Sequence, residues 1–196
     1  MARTGRVSKE QSDINRNSII AISSQLFRER GLDGVSLKDI MSAAGLTHGG
    51  FYGHFSSKDE LEALACEQAF ENSRAVFAEQ VPGDFSQLVE RYLSPDHRDR
   101  PASGCTVAAL ATDIQRKGQD KPVYKTYISG VKDMAEHIKN IQDSSSDSAM
   151  TDKHLMQFAL MAGALMLSRA TRGDDISERF LTAAKTALLD SESNNS

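Results

Sequence analysis

Apolar residues recur at helical intervals through most of the chain, and no segment shows the strict alternation of a half-buried strand. From Asn15 to Arg30, residues Ile19, Ile22, Leu26 and Phe27 form an i, i+3, i+7, i+8 stripe, which predicts a helix stopped by Gly31. Leu37, Ile40, Met41 and Ala44 predict a second, with Ser36 as its N-cap and Gly45 as its end. Thr47 caps a third, placing Phe51 and Phe55 one turn apart and inward, with His48 and Tyr52 outward. Ser57-x-x-Glu60 is a capping box opening a helix to about Gln80. Asp84-x-x-Gln87 opens one that buries Phe85, Leu88, Val89 and Tyr92, followed by a polar loop from Ser94 to Pro101. Ser103 caps a helix with Val107, Leu110, Ala111 and Ile114 inward, ending near Gly118. Pro122 starts another, with Tyr124, Ile128, Val131, Ala135 and Ile138 on its buried stripe. After a Ser/Asp linker at Asp143–Ser148, Thr151 opens a strongly apolar helix through Arg169, and Asp175 caps a last one through Leu189. Residues 1–14 are polar and basic without periodicity and read as disordered, and residues 191–196 read as a frayed end. The prediction is an all-α fold of about nine helices.

The third helix is unusual. Gly49, Gly50 and Gly53 fall inside it, and each interior glycine costs a helix about 1 kcal/mol relative to alanine. Three in one short segment imply that the backbone must approach something closely. A helix N-terminus with bare amides, a capping hydroxyl, a histidine and a tyrosine suits a polyanion. Two short helices joined by a glycine turn make a helix-turn-helix, and the polyanion it suits is duplex DNA.

The stretch Gly31, Val35, Ser36, Ile40, Ala44-Gly45-Leu46-Thr47, Gly49, Phe51-Tyr52, His54-Phe55, Ser57-Lys58 and Leu61 resembles the TetR/AcrR family of transcriptional regulators. The resemblance is strong over roughly the first third of the chain. It implies a head domain over 1–60 and a helical ligand-binding and dimerisation domain over 61–196. It places Lys38, Thr47, His48, Gly49 and Gly50 near bases or the phosphates beside them, with Ser36, Tyr52, His54 and Lys58 clamping the backbone. Gly53 departs from the bulkier residue common there, so base contact from that position is not expected.

The net charge of -4 fits DNA binding only once it is divided. Residues 1–60 carry 8 Lys+Arg against 7 Asp+Glu, whereas 61–196 carry 15 against 20, so the acidic balance belongs to the larger segment. Arg3, Arg6 and Lys9 on the N-terminal arm either follow a groove or remain a solvated tail. The longest apolar run, Leu155 to Leu167, is short of the roughly 20 residues a membrane span needs. No export signal opens the chain, so a cytoplasmic protein is expected. Cys66 and Cys105 lie far apart without metal spacing, and the histidines show no ligand pattern, so neither a metal nor a cofactor is expected. Patterns for nucleophilic, zinc or nucleotide chemistry are missing, which makes an enzyme a poor reading.

Beyond residue 60 the residues allow narrower statements. The resemblance implies that the last two helices pair with those of a second copy, giving Leu155, Phe158, Ala162, Leu165, Phe180, Ala184 and Leu188 as interface candidates. It also implies a ligand cavity, with Phe70, Phe77, Tyr92, Cys105, Tyr124, Tyr127 and Met134 as lining candidates, although aromatics at such spacing also build plain core. Cys105 follows Ser103-Gly104 near a helix start, where the dipole lowers a thiol pKa. The motif resembles a branch of the family whose cysteine senses electrophiles or oxidants; the alternative is an inert small hydrophobe. The function expected is a homodimeric repressor that binds a near-palindromic double-stranded operator and is released by a small-molecule inducer or an electrophile. Activation in place of repression stays open. A small enzyme or carrier with an appended helix-turn-helix, and a protein-docking module, are the other classes.

Overall fold

The first helix begins before its apolar stripe does. The structure, a computed structural model, describes residues 8–80, 84–142 and 149–193, with side chains at 8–76, 84–142 and 149–190. Helix α1 spans Lys9–Arg30, because Ser8 caps it by accepting the Gln11 amide. Its first turns are solvent-facing and carry no apolar period, so the expectation of a disordered stretch up to residue 14 is corrected from residue 8 onward. Arg3 and Arg6 lie outside the described residues.

Helix α2 spans Leu37–Ala43, and Ser36 opens it through a full capping box with Asp39. Gly45, at φ +69°, reverses the chain, a conformation that glycine alone adopts without a Cβ clash. The next segment is a 3-10 helix, His48–Gly53, not the α-helix through Phe55 that its pattern predicts, and Thr47 precedes it without a side-chain cap. Three glycines at full backbone-entropy cost leave too little propensity for a third α-turn. Phe51 and Phe55 are nonetheless buried as expected.

Helix α3, Lys58–Gln80, runs from this head into the rest of the molecule. Ser57 accepts the Glu60 amide, but the Glu60 carboxylate returns to Ser56. Helix α4, Phe85–Tyr92, is capped by Asp84 and buries its four expected residues. The expected polar loop holds a short helix, α5, Pro95–Asp99, capped by Ser94 with proline at its first position, and a 3-10 turn, Pro101–Ser103. Cys105, not Ser103, is the N-cap of α6, Thr106–Lys117. In α7, Pro122–Gln142, Val123, Tyr127 and Met134 are buried one position before the predicted stripe, whose Ala135 and Ile138 are buried as expected while Tyr124, Ile128 and Val131 are half-buried. Helices α8, Asp152–Ala170, and α9, Ile176–Ser193, pack together as a pair, and α9 continues past Leu189. The Asp143–Ser148 linker lies outside the described residues. The fold is all-α, with nine α-helices and two 3-10 helices among the described residues.

Two apolar clusters form the core. The first joins Ile19, Phe27, Ile40 and Phe51 of the head and Leu61 of α3 to Leu110, Ile114, Val123 and Tyr127 of α6 and α7. The second is built by α4, the start of α6, the latter half of α7, α8 and α9. Helices α6 and α7 thus carry residues of both clusters, and through them the head is packed against the remaining helices.

Candidate nucleic-acid interface

Between Ala44 and Gly53 the chain presents a surface with little internal purpose. His48 and Tyr52 are exposed, Tyr52 at 67%, and its ring stands edge-on to buried Phe51 at 5.2 Å. A Cβ added at Gly49 or Gly53 would meet nothing within 4 Å, and neither glycine has positive φ. At Gly50 it would meet only Met41 Cε and Thr47 Oγ1, both at 3.7 Å. Neither turn geometry nor packing within the chain therefore requires these glycines. Lys38 and Thr47 are exposed and His54 is half-buried beside Phe55.

Two expected phosphate partners are occupied inside the chain. Lys58 Nζ donates to the Leu32 carbonyl at 2.7 Å, lies 3.6 Å from Glu62 Oε1, and sits over the Phe27 ring. The Ser36 hydroxyl serves the capping box, donating to Asp39 Oδ2 at 2.6 Å, and these bonds hold the Asp39 carboxyl below its usual range.

The head is fastened by charges that periodicity could not reveal. Lys117, at the end of α6, bridges Asp33 at 2.8 Å and Glu62 at 3.0 Å. Glu62 is fully buried; burial raises its carboxyl pKa, and the Lys117 hydrogen bond opposes that rise. Asp113 accepts the Leu32 amide at 3.4 Å, and Lys121 pairs with Asp59 at 2.9 Å. At the other end of α6, Arg28 of α1 donates to the Gly104 carbonyl at 3.2 Å. Helix α6 therefore touches the head at both ends.

The start of α6 also closes a cleft of about 250 Å3, lined by Tyr92, His97 and Cys105 among others. The Cys105 amide donates to His97 Nε2 at 2.9 Å, so Nδ1 carries the ring proton and donates to the Tyr92 carbonyl at 2.7 Å. Burial lowers the His97 pKa to about 4, which keeps the ring neutral and the bond intact. The Tyr92 hydroxyl is buried without a partner. Cys66 is buried mid-helix, and desolvation pushes its thiol up to about 12.

The seven residues expected around one ligand cavity do not share it. Tyr92 and Cys105 meet at this cleft, whereas Phe70 borders a separate hollow against Gly130 and stacks edge-on with Tyr127 at 6.0 Å. Tyr127 and Met134 are core, Tyr124 is half-buried, and the Phe77 side chain lies outside the described residues. The expected subunit contacts divide similarly. Phe158, Ala162, Leu165, Ala184 and Leu188 are buried within the chain itself, because the α8–α9 pair uses them as its inner face. The outer face carries exposed Leu155, Met156, Leu160 and Leu167, with half-buried Phe180 beside them. His97, Arg28, Asp113 and Lys117 carry no sequence signal for these roles.

A capped α2, a glycine turn and a short helix with an exposed His/Tyr face, sharing one apolar cluster with α1, define a helix-turn-helix DNA-binding protein of the all-α class. Residues 19–63 match the family described as bacterial regulatory proteins, tetR family. The transcriptional repressor KstR2 of Rhodococcus jostii (strain RHA1) is 41% identical over 104 residues, which is 51% of this chain and 50% of that protein. The transcriptional repressor DhaR of Mycobacterium sp. (strain GP1) is 23% identical over 187 residues, 91% of this chain and 94% of that protein. A TetR transcriptional regulator from Chloroflexus aurantiacus J-10-FL shares the fold with a TM-score of 0.72 at 24% identity, covering 92% of this chain and 96% of that one. Residues 19–63 thus carry the DNA-binding segment of the tetR family, and the chain shares the fold of solved TetR-family regulators.

Proposed function

We propose that the protein is a cytoplasmic, homodimeric repressor that reads a near-palindromic operator through residues 1–60 and releases it when residues 61–196 bind a small molecule or an electrophile. The observation that carries the DNA contact is the glycine surface at Gly49 and Gly53, open on the outside and without internal cause. Lys38, Thr47, His48, Gly49, Gly50 and Tyr52 face the duplex in this reading, and Lys58 positions the head from inside through Leu32 and Glu62. Dimerisation is supported by an apolar hollow of about 390 Å3 on the outer face of α8 and α9, lined by Leu160, Gly163, Leu167 and Phe180. A second copy fits it, because a two-half-site reader needs its heads held about 34–36 Å apart. Release through Cys105 is supported by its place in the cleft beside Tyr92 and His97.

The test is fluorescence anisotropy on a duplex selected from a random library by the wild-type protein, at rising salt. Gly49→Ala adds a Cβ that meets no atom of the chain within 4 Å, and should not lower the melting temperature while weakening DNA binding at least tenfold. Wild-type affinity in that variant refutes the contact surface. Leu167→Asp should give a folded monomer in sedimentation with operator binding largely lost, and a persistent dimer places the interface elsewhere.

A further inference from the structure

A buried arginine and a half-buried one line the same groove with no carboxylate to balance them. Arg28 is 5% exposed; its Nε donates to the Ser24 carbonyl at 2.9 Å and its Nη1 to the Gly104 carbonyl at 3.2 Å. Arg169, half-buried at the end of α8, donates to the carbonyls of Arg98 at 3.2 Å and His97 at 2.9 Å. Among the described residues neither forms an ion pair with a carboxylate, whereas neighbouring Arg98 and Arg172 both pair with Asp99. Carbonyls solvate a guanidinium but do not neutralise it, and an unpaired buried charge is costly. Burial lowers the pKa of both arginines. One arm of the Arg169 fork, Nη1, is buried with no hydrogen-bond partner at all.

Both arginines line one groove of about 380 Å3 between α1, α6 and α8, and Ala108, Ala109 and Met166 give it an apolar wall. The one acid on its lining, Glu29, pairs with Arg30 at 3.5 Å. A half-buried guanidinium, a second cation and an apolar wall match the two ends of one kind of molecule.

We propose that this groove binds an organic carboxylate, its anionic end between Arg28 and Arg169 and its apolar body on Ala108, Ala109 and Met166. The inference rests on the ligand-responsive reading above and names the ligand's class. Arg28 belongs to α1 and the remaining partners to α6 and α8, so one occupant touches the head and the second domain together. Its binding energy then depends on how the two are placed, which is the condition for shifting the head.

The experiment titrates the full-length protein with hexanoate, with hexanamide, which keeps the apolar body without the charge, and with sulfate. Binding is read by calorimetry and by thermal shift. Hexanoate should raise the melting temperature, and hexanamide and sulfate should each bind at least tenfold more weakly. Arg169→Gln should cut hexanoate affinity at least tenfold. Because Arg169 also holds two carbonyls, Ala109→Phe is the second variant: it keeps both arginines, fills the groove and should abolish hexanoate binding while unfolding remains cooperative. Equal binding of hexanoate and hexanamide, sulfate binding as tight as hexanoate, or unchanged affinity in Ala109→Phe overturns the proposal. Salt-dependent DNA binding is measured on the same preparations. If DNA binds and hexanoate does not, this inference fails alone; if the unliganded wild type does not bind DNA, the regulator reading fails.

Discussion

Acidification should lower the stability of the fold through a single imidazole. His97 Nε2 accepts the Cys105 amide, and a proton there removes the acceptor and sets a cation facing Arg169 and Arg91. The ring's ordinary value is 6.5 and its folded value about 4. Between those values the unfolded chain binds the extra proton and the folded one does not, so stability is lost as pH falls through that window. The full difference corresponds to about 3 kcal/mol, and the part between pH 7 and pH 5 to roughly 2 kcal/mol. Urea denaturation followed by circular dichroism, at one protein concentration and several pH values, measures it. His97→Gln keeps a donor and an acceptor and titrates nowhere in this range. It should start less stable than wild type at pH 7 and lose roughly 2 kcal/mol less on going to pH 5. The other histidines and the carboxylates are common to both proteins and cancel in the comparison. Parallel stability curves for the two proteins would refute the clamp.

Lys117→Met should cost about 3–5 kcal/mol, because it leaves the buried Glu62 carboxylate with only Lys58 at 3.6 Å. Adding Glu62→Gln should restore much of that loss in thermal melts, and a single variant within about 1 kcal/mol of wild type would show that the bridge does not secure the head. Gly130→Ala should destabilise by about 1–3 kcal/mol despite the better helix propensity of alanine, since the new Cβ falls 2.3 Å from the Phe70 ring. A raised melting temperature would show that α3 and α7 separate easily.

Local signals were enough for the head. Ser36 caps α2 with its own Asp39, Gly45 supplies the reversal, and Phe51 and Phe55 turn inward within a few residues of each other. Such features are legible because their partners lie within one turn of chain. The α5 helix had a local signal too, Ser94 followed by Pro95, but only one turn and no apolar stripe to mark it as a helix. Element type was harder where glycines weakened it, and the 3-10 geometry at His48–Gly53 is the result.

What only the tertiary structure decided is which groups at long separation meet. Helix α8 is apolar on several sides, so its sequence does not say whether Leu165 or Leu167 faces the chain's own core; packing against α9 settles that Leu165 goes in and Leu167 stays out. The Lys117–Glu62 bridge, the His97–Cys105 bond and the acid-free pair Arg28 and Arg169 join residues from different helices. Their chemistry comes from burial and neighbours, which depend on how α1, α6 and α8 pack. A charged residue looks the same in a sequence whether it is solvated or held without a counter-ion, and only the folded surroundings separate the two.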